Sequence, residues 1–296
     1  MLEGQRGLNW DRWQRLALAA EALGFAGLYR SDHLVEAQLP DQDSLDAWVS
    51  LTWLASHTTR IEFGTLVSPL SFRHPVHLAR MASAIDDLSG GRLTLGLGAG
   101  WSHREHQVLG FELLSPSPRL DRLEEGIQVI TGLLRSDAPV SFDGCYFQLH
   151  DALLLPRPQR TGGPRLLVAG RGRKRSLPIA AKYADAWNAM FISPETLHDM
   201  NTQLDDLLEL NGRRPEDLTR TVMQGVEVGR NEADLRRKLE ARTWQSWREP
   251  GLIVGSTEQM QEKLAAFEAA GAQRIMLQWQ DLDDLDGLEL LARAAL

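Results

Sequence analysis

Short apolar runs alternate with segments of helical period along almost the whole chain, and no Gly/Ser linker or break in composition interrupts them. Units of strand then helix build parallel sheets through right-handed crossovers, and eight such units close into a barrel. The spacing predicts helices over 9–23, capped by Asn9 and stopped by Gly24, over 44–57, and over 75–88 opening on Pro75. Further helices are predicted over about 119–134, 174–184, 195–211, 232–247, 257–270 and 285–295. Strands are predicted over 27–33, 61–67, 93–97, 165–168, 186–190, 221–228 and 274–279. Val140 to Leu149, with Asp143-Gly144 at the centre, reads as a small hairpin within an insertion of about residues 137–160. Met1 to Gly4 leave only a stub for a first strand, because a strand advances about 3.3 Å per residue and the helix at Asn9 follows at once. A shortened first strand, or a start set too late, is therefore expected. The expected fold is α/β, a single (β/α)8 TIM-barrel domain over residues 1–296 with the small inserted hairpin and a truncated first strand. An open, doubly wound sheet is the alternative.

Length alone does not choose between one domain and two at 296 residues, but an apolar share of 43% is enough for a large core. Thirty-two basic against forty acidic side chains give a net charge of −8, which argues against nucleic acid or an anionic membrane as partner. A single cysteine, Cys145, cannot form an internal disulfide, and the N-terminal residues show no charged and apolar signal pattern. No uncharged apolar run reaches the length of a bilayer. A cytoplasmic protein with a small-molecule substrate is expected, with a second copy of the chain, as a homodimer, the other partner considered.

Barrels carry their functional groups just after the strands. That rule selects Ser31-Asp32-His33, Thr65 to Ser68, Gly98-Ala99-Gly100-Trp101, Gly170 to Arg173, and Trp187-Asn188. In extended chain Asp32 and His33 point opposite ways, so they have separate jobs. Gly96, Gly98 and Gly100 let backbone approach a ring system or phosphate, or else serve tight turning. They fail the dinucleotide fingerprint, since Trp101 stands at the third glycine, and no GxxxxGK[ST] occurs. Gly170 to Ser176 places backbone donors and four cations at a helix start, which suits either an anion site or a solvated basic face. His74 with His77, and His103 with His106, have i,i+3 spacing, but no carboxylate beyond Glu105 matches them, so capping or surface roles are expected and no metal. Glu105 is expected to anchor the loop after the fourth strand. Trp101, Trp187 and Trp279 lie near strand ends and are candidates for pocket wall or for core. No GxSxG elbow is present, so acyl transfer has no support.

In this order, SDH at 31–33, GTLV at 64–67, GGRLTLGLGAGWSHREH at 90–106, AGRGRKRSLPIAAKYADAWN at 169–188 and IVGSTEQMQEKLAAFEAAGAQRIML at 253–277 resemble the luciferase-like monooxygenase superfamily over nearly the whole chain. Within it the pattern is similar to the oxidoreductases that use the deazaflavin coenzyme F420 rather than flavin mononucleotide (FMN). The resemblance implies that His33 faces the redox-active ring and passes a proton as hydride moves, while Asp32 orients the ring edge. It implies Thr65, Leu66 and Val67 behind the ring, with a non-proline cis peptide at Leu66–Val67, and Gly98, Ala99 and Gly100 beside it. Gly170, Arg171, Gly172 and Ser176 would bind the phosphate, with Arg119 as a second contact. Similar proteins often carry glutamate where Arg173 stands. The implied activity is hydride transfer between F420 and an organic substrate, with an FMN-dependent monooxygenase as the alternative. Outside the family, the alternatives are a metal-dependent barrel hydrolase and a coenzyme-binding protein without turnover.

Overall fold

Strand and helix alternate as the apolar pattern predicts. The structure, a computed structural model, describes residues 1–241 and 251–296. The first part runs α1 (Trp10–Ala22), β1 (Gly27–Arg30), α2 (Ala47–His57), β2 (Glu62–Thr65), β3 (Ser68–Pro69), α3 (Pro75–Ser89) and β4 (Leu93–Gly98). It continues with α4 (His103–Leu109), α5 (Pro116–Arg135), β5 (Val140–Asp143), β6 (Gln148–Ala152), β7 (Arg165–Ala169), α6 (Ser176–Tyr183) and β8 (Ala186–Met190). The last part is α7 (Pro194–Leu210), β9 (Thr219–Val228), α8 (Glu232–Ala241), β10 (Ile253–Gly255), α9 (Thr257–Ala269), β11 (Arg274–Gln278) and α10 (Leu285–Ala295). Of the helix predicted over 232–247, α8 accounts for 232–241 and the rest lies outside the described residues. Among the described residues no helix is long and apolar enough to cross a membrane.

The sheet is parallel and curled, in the order β1-β2-β4-β7-β8-β9-β10, with β11 also on β9 and β3 on β4. Besides β8, β9 pairs with two further strands because it is long: Thr221 to Gly225 pair with β11, and Val226 to Val228 with β10. The amino-terminal stub touches β1 and the chain just after β11. Leu2 bridges Arg30 and Trp279 in parallel, and Met1 donates its amino group to the Leu277 carbonyl at 2.8 Å. Of the first four residues only Leu2 makes a strand bridge, as so short a stub predicts. β5 and β6 pair antiparallel as a separate two-stranded unit, and Cys145 lies exposed in their turn.

Strands covered on both faces are buried along their length, which is why β4 is buried at all six residues. Leu93, Leu95 and Leu97 join the layer between sheet and helices. Gly96 between them allows β2 and β4 to lie close, since a Cβ there would come within 2.0 Å of the Thr65 carbonyl oxygen. Inside the curl a smaller cluster of Met1, Tyr29, Leu66, Leu167, Ala186, Met223 and Met276 fills the centre, with Val67, Ala169, Met190 and Phe191 against it.

The observed strands stop earlier than predicted at two functional positions. β1 ends at Arg30 rather than at residue 33, and β2 at Thr65 rather than at residue 67. β1 ends just before the polar Ser31-Asp32-His33, and β2 just before Leu66–Val67, whose peptide is cis, as the resemblance implies.

Candidate active site

Two cavities stand out, and they lie at opposite ends of the strands. The larger, about 810 Å³, sits at the amino-terminal ends of β1 and β11 beside Met1 and is lined mainly by aliphatic side chains. The smaller, about 620 Å³, opens at the carboxyl ends. Convergent polar groups rather than volume mark a reactive site. The smaller cleft holds them: His33, Leu66, Val67, Gly98, Ala99 and Gly100 all line it, together with Trp101 and Glu105.

His33 follows the end of β1 and is 20% exposed at its side chain, whereas Glu105 is 1% exposed. The two meet at 2.8 Å between His33 Nδ1 and Glu105 Oε2. Glu105 also accepts from the Leu34 amide at 2.6 Å, so one carboxylate fixes both the ring and the loop that carries it. It can do so because Ser102 caps α4 and places Glu105 in the first helical turn. Burial pushes the imidazole pKa down, but the bond to Glu105 and the charges of Glu3, Glu105 and Asp32 outweigh it, leaving His33 above its ordinary value of 6.5. Burial pushes Glu105 up, yet the His33 bond and charge with the Leu34 and Val35 amides hold it below the usual carboxylate range. The result is a ring biased towards its protonated form, with Nδ1 committed to Glu105 and Nε2 left for a ligand. Trp101 stands edge-on to it, with ring centroids 5.5 Å apart.

A second feature flanks the cleft. β7 ends at Ala169, and the glycines that follow crowd the start of α6: a Cβ at Gly170 would lie 2.7 Å from Ser176 Oγ, and one at Gly172 3.0 Å from it. Only glycine keeps that space open. Trp187 Nε1 holds the Gly170 carbonyl at 2.9 Å. Arg171, Arg173 and Lys174 are exposed, and Arg175 pairs with Asp121. Arg119, in the first turn of α5, donates to the Gly100 carbonyl at 3.0 Å, and its buried Nε has no hydrogen-bond partner among the described residues. Glycine backbone, a serine hydroxyl, a helix start and nearby cations form a cradle that fits a phosphate, so the residues present suit a coenzyme that has both a planar ring and a phosphate.

Several expected contacts stand elsewhere. Asp32 does not line the cleft; it is buried behind the wall, where Trp48 Nε1 at 3.3 Å, Ser68 Oγ at 2.6 Å and Arg73 donate to it. It faces other surroundings than His33, as expected, although β1 ends at Arg30 and neither residue belongs to it. Thr65 is likewise fully buried and uses its hydroxyl to tie β2 to Gly96 of β4 at 2.8 Å. Arg119, Gly170, Arg171, Gly172 and Ser176 gather beside the cleft rather than in it. Among the tryptophans, Trp101 is 61% exposed on the cleft while Trp187 and Trp279 are buried. His106 is buried and engaged with Ser71 at 2.7 Å. Sequence reasoning missed α4, the Glu105–His33 contact and Arg73.

The luciferase-like monooxygenase family model matches residues 2–290. A 4-hydroxyprotoasukamycin monooxygenase from Streptomyces nodosus subsp. asukaensis is 35% identical over 153 residues, covering 52% of this chain and 39% of the relative. An F420-dependent glucose-6-phosphate dehydrogenase from Kineococcus radiotolerans is 31% identical over 215 residues, 70% of this chain and 60% of the relative. The chain thus spans less than two thirds of each of these curated relatives. A solved F420-dependent secondary alcohol dehydrogenase, in complex with an F420-acetone adduct, superposes over 100% of this chain and 99% of its own with a TM-score of 0.86 at 20% identity, a likeness of fold. With a family match over residues 2–290 and a cleft at the strand ends to go with it, the chain belongs to the luciferase-like monooxygenase family.

Proposed function

We propose that the chain is an F420-dependent oxidoreductase on a closed (β/α)8 barrel, with the Leu2 stub counted as its first strand, and that it moves a hydride between the deazaflavin and an organic substrate. The observation that carries this reading is the His33–Glu105 pair on the wall of a cleft whose other side is the Leu66–Val67 backbone and Gly98 to Gly100. F420, when bound, supplies and accepts hydride at C5 of its ring. His33 holds the proton that accompanies it: the protonated Nε2 donates to a carbonyl oxygen in reduction and takes that proton back in oxidation. Glu105 keeps the ring oriented and charged. Trp101 shields the ring edge from water. Gly170, Gly172, Ser176 and Arg119 hold the phosphate end, with Arg171 for an acidic tail, and Asp32 with Arg73 fixes the strand end from behind. An FMN-dependent monooxygenase is the second reading, because the same wall and cradle suit that flavin and the relatives include a monooxygenase.

Parallel fluorescence titrations with F420 and FMN test the choice. F420 binds more tightly, and its affinity falls with added salt because cations meet an acidic tail. Ser176→Leu raises the F420 dissociation constant about tenfold, the equivalent of about 1.4 kcal/mol. Tighter binding of FMN overturns the assignment.

A further inference from the structure

The cavity of about 810 Å³ at the amino-terminal ends of the strands is a slot between two sheet edges. β1 pairs with β2 and β11 with β9, and their other edges meet the stub of Met1 and Leu2. That stub is bonded on both sides as a parallel strand is. The Leu2 amide donates to the Tyr29 carbonyl at 2.9 Å, and the Leu2 carbonyl accepts from the Ser31 amide at 3.0 Å. On the other side the Met1 amino group donates to the Leu277 carbonyl at 2.8 Å, and the Met1 carbonyl accepts from the Trp279 amide at 2.9 Å. A strand turns the backbone of every second residue to a given neighbour, so Gly27 and the Tyr29 amide, and Ile275 and the Leu277 amide, face the slot beyond Met1. Leu2 stands opposite Arg30 and Trp279, whereas β1 begins three residues before Arg30 and β11 five residues before Trp279. The two edges therefore run on past Met1 by two residues and by four.

We propose that this slot is a strand-acceptor site, and that its occupant is an extended, aliphatic segment of about four residues continuous with Met1. Four residues advance about 13 Å at about 3.3 Å each. The inference is independent of which coenzyme binds at the opposite ends of the strands. Side-chain alternation sets the pattern of the occupant. Leu2 packs in the layer between sheet and helices and Met1 inside the curl, so the residue just before Met1 falls on the helix side, among Leu16, Ala20, Leu288 and Leu291, and the one before that towards Tyr29 and Met276. Among the described residues that line the slot, the charged ones are Glu268 and Arg274, and Arg274 is engaged by Glu62 at 2.6 Å and by the Tyr29 hydroxyl at 2.9 Å, which favours an uncharged occupant. A small apolar molecule would fill the side-chain space but leave the edge amides and carbonyls without partners. A separate peptide would have to end against the Met1 nitrogen, which stands in the line of the strand. Burial there lowers that amino group from 8.0 to about 5, against the pull of Glu3, whereas a peptide N–H in its place makes the same bond to Leu277 with no charge to desolvate.

The test compares the protein with a form extended before Met1 by Lys-Val-Ala-Val, which puts valine at the two helix-side positions, and with a control extended by Lys-Asp-Ala-Asp. The valine form melts about 5 °C higher than the protein without extension, and its Tyr29 and Leu277 amides exchange hydrogen at least about tenfold more slowly. The aspartate form shows neither change, and acetyl-Lys-Val-Ala-Val-amide added in excess to the unextended protein shows neither. Unchanged melting and exchange in the valine form overturn the proposal. Equal protection by the aspartate form overturns the aliphatic character of the site, and equal protection by the free peptide overturns an occupant continuous with Met1.

Discussion

Replacing His33 by alanine lowers kcat by about 10²–10⁴-fold, the range that a positioned proton donor contributes. The F420 dissociation constant moves by less than about threefold, because the proton is needed only as the substrate reacts. The expectation follows from placement. His33 lines the cleft at the end of β1, its Nδ1 is taken by Glu105, and the phosphate cradle lies on the separate loop from Gly170 to Ser176. Steady-state kinetics and coenzyme titration on the same sample read the two quantities. If affinity collapses while kcat holds, His33 anchors the coenzyme and the two ends of the site have been interchanged.

Glu105→Gln has the second large effect, and pH reveals it. The imidazole lies above its ordinary pKa of 6.5 because the Glu105 bond and the surrounding carboxylates outweigh burial. Removing that negative charge lowers the pKa, so His33 loses its proton at a lower pH. In ketone reduction the protonated ring is the active form, and the basic limb of the kcat profile therefore moves to lower pH; in alcohol oxidation the acidic limb moves the same way. At neutral pH the loss is about 10–100-fold in the reductive direction, part of the span that acid–base groups supply. A purely structural role for Glu105 predicts lower activity with an unshifted profile, so a stopped-flow pH series separates the two. Glu105→Asp, which keeps the charge but shortens the reach, is expected to recover part of the shift.

Legibility in the sequence followed physical range. Strands such as β4 and β8 were readable because their burial is continuous, and α7 because Leu197, Met200, Leu204 and Leu208 fall on one face. α4 was not. It has seven residues, mostly polar, and its one local signal was Ser102 followed by Glu105 three residues later, the start of a capping pattern. The pairing of His33 with Glu105 spans 72 positions and depends on the curl that brings the loop after β4 across to β1, which no spacing rule encodes. Asp32 was correctly separated from His33 by the alternation of extended chain. Its burial against Arg73 was invisible, because Arg73 follows β3 in a turn without periodic pattern. The cis bond at Leu66–Val67 came from family resemblance alone.

Met190 and Met223 line the floor of the cleft, and Met276 packs with Met223 inside the curl. Thioethers are readily oxidised to sulfoxides, which are polar and poorly suited to an apolar interior. A reduced flavin that activates oxygen releases some peroxide within reach of these sulfurs, whereas hydride exchange with a carbonyl requires no oxygen. These sulfurs therefore lie where the two chemistries would leave different marks. After many cycles in air, mass spectrometry of the peptides containing Met190 and Met223 reports which chemistry took place above them: unmodified sulfur for hydride transfer, accumulated sulfoxide for oxygen activation.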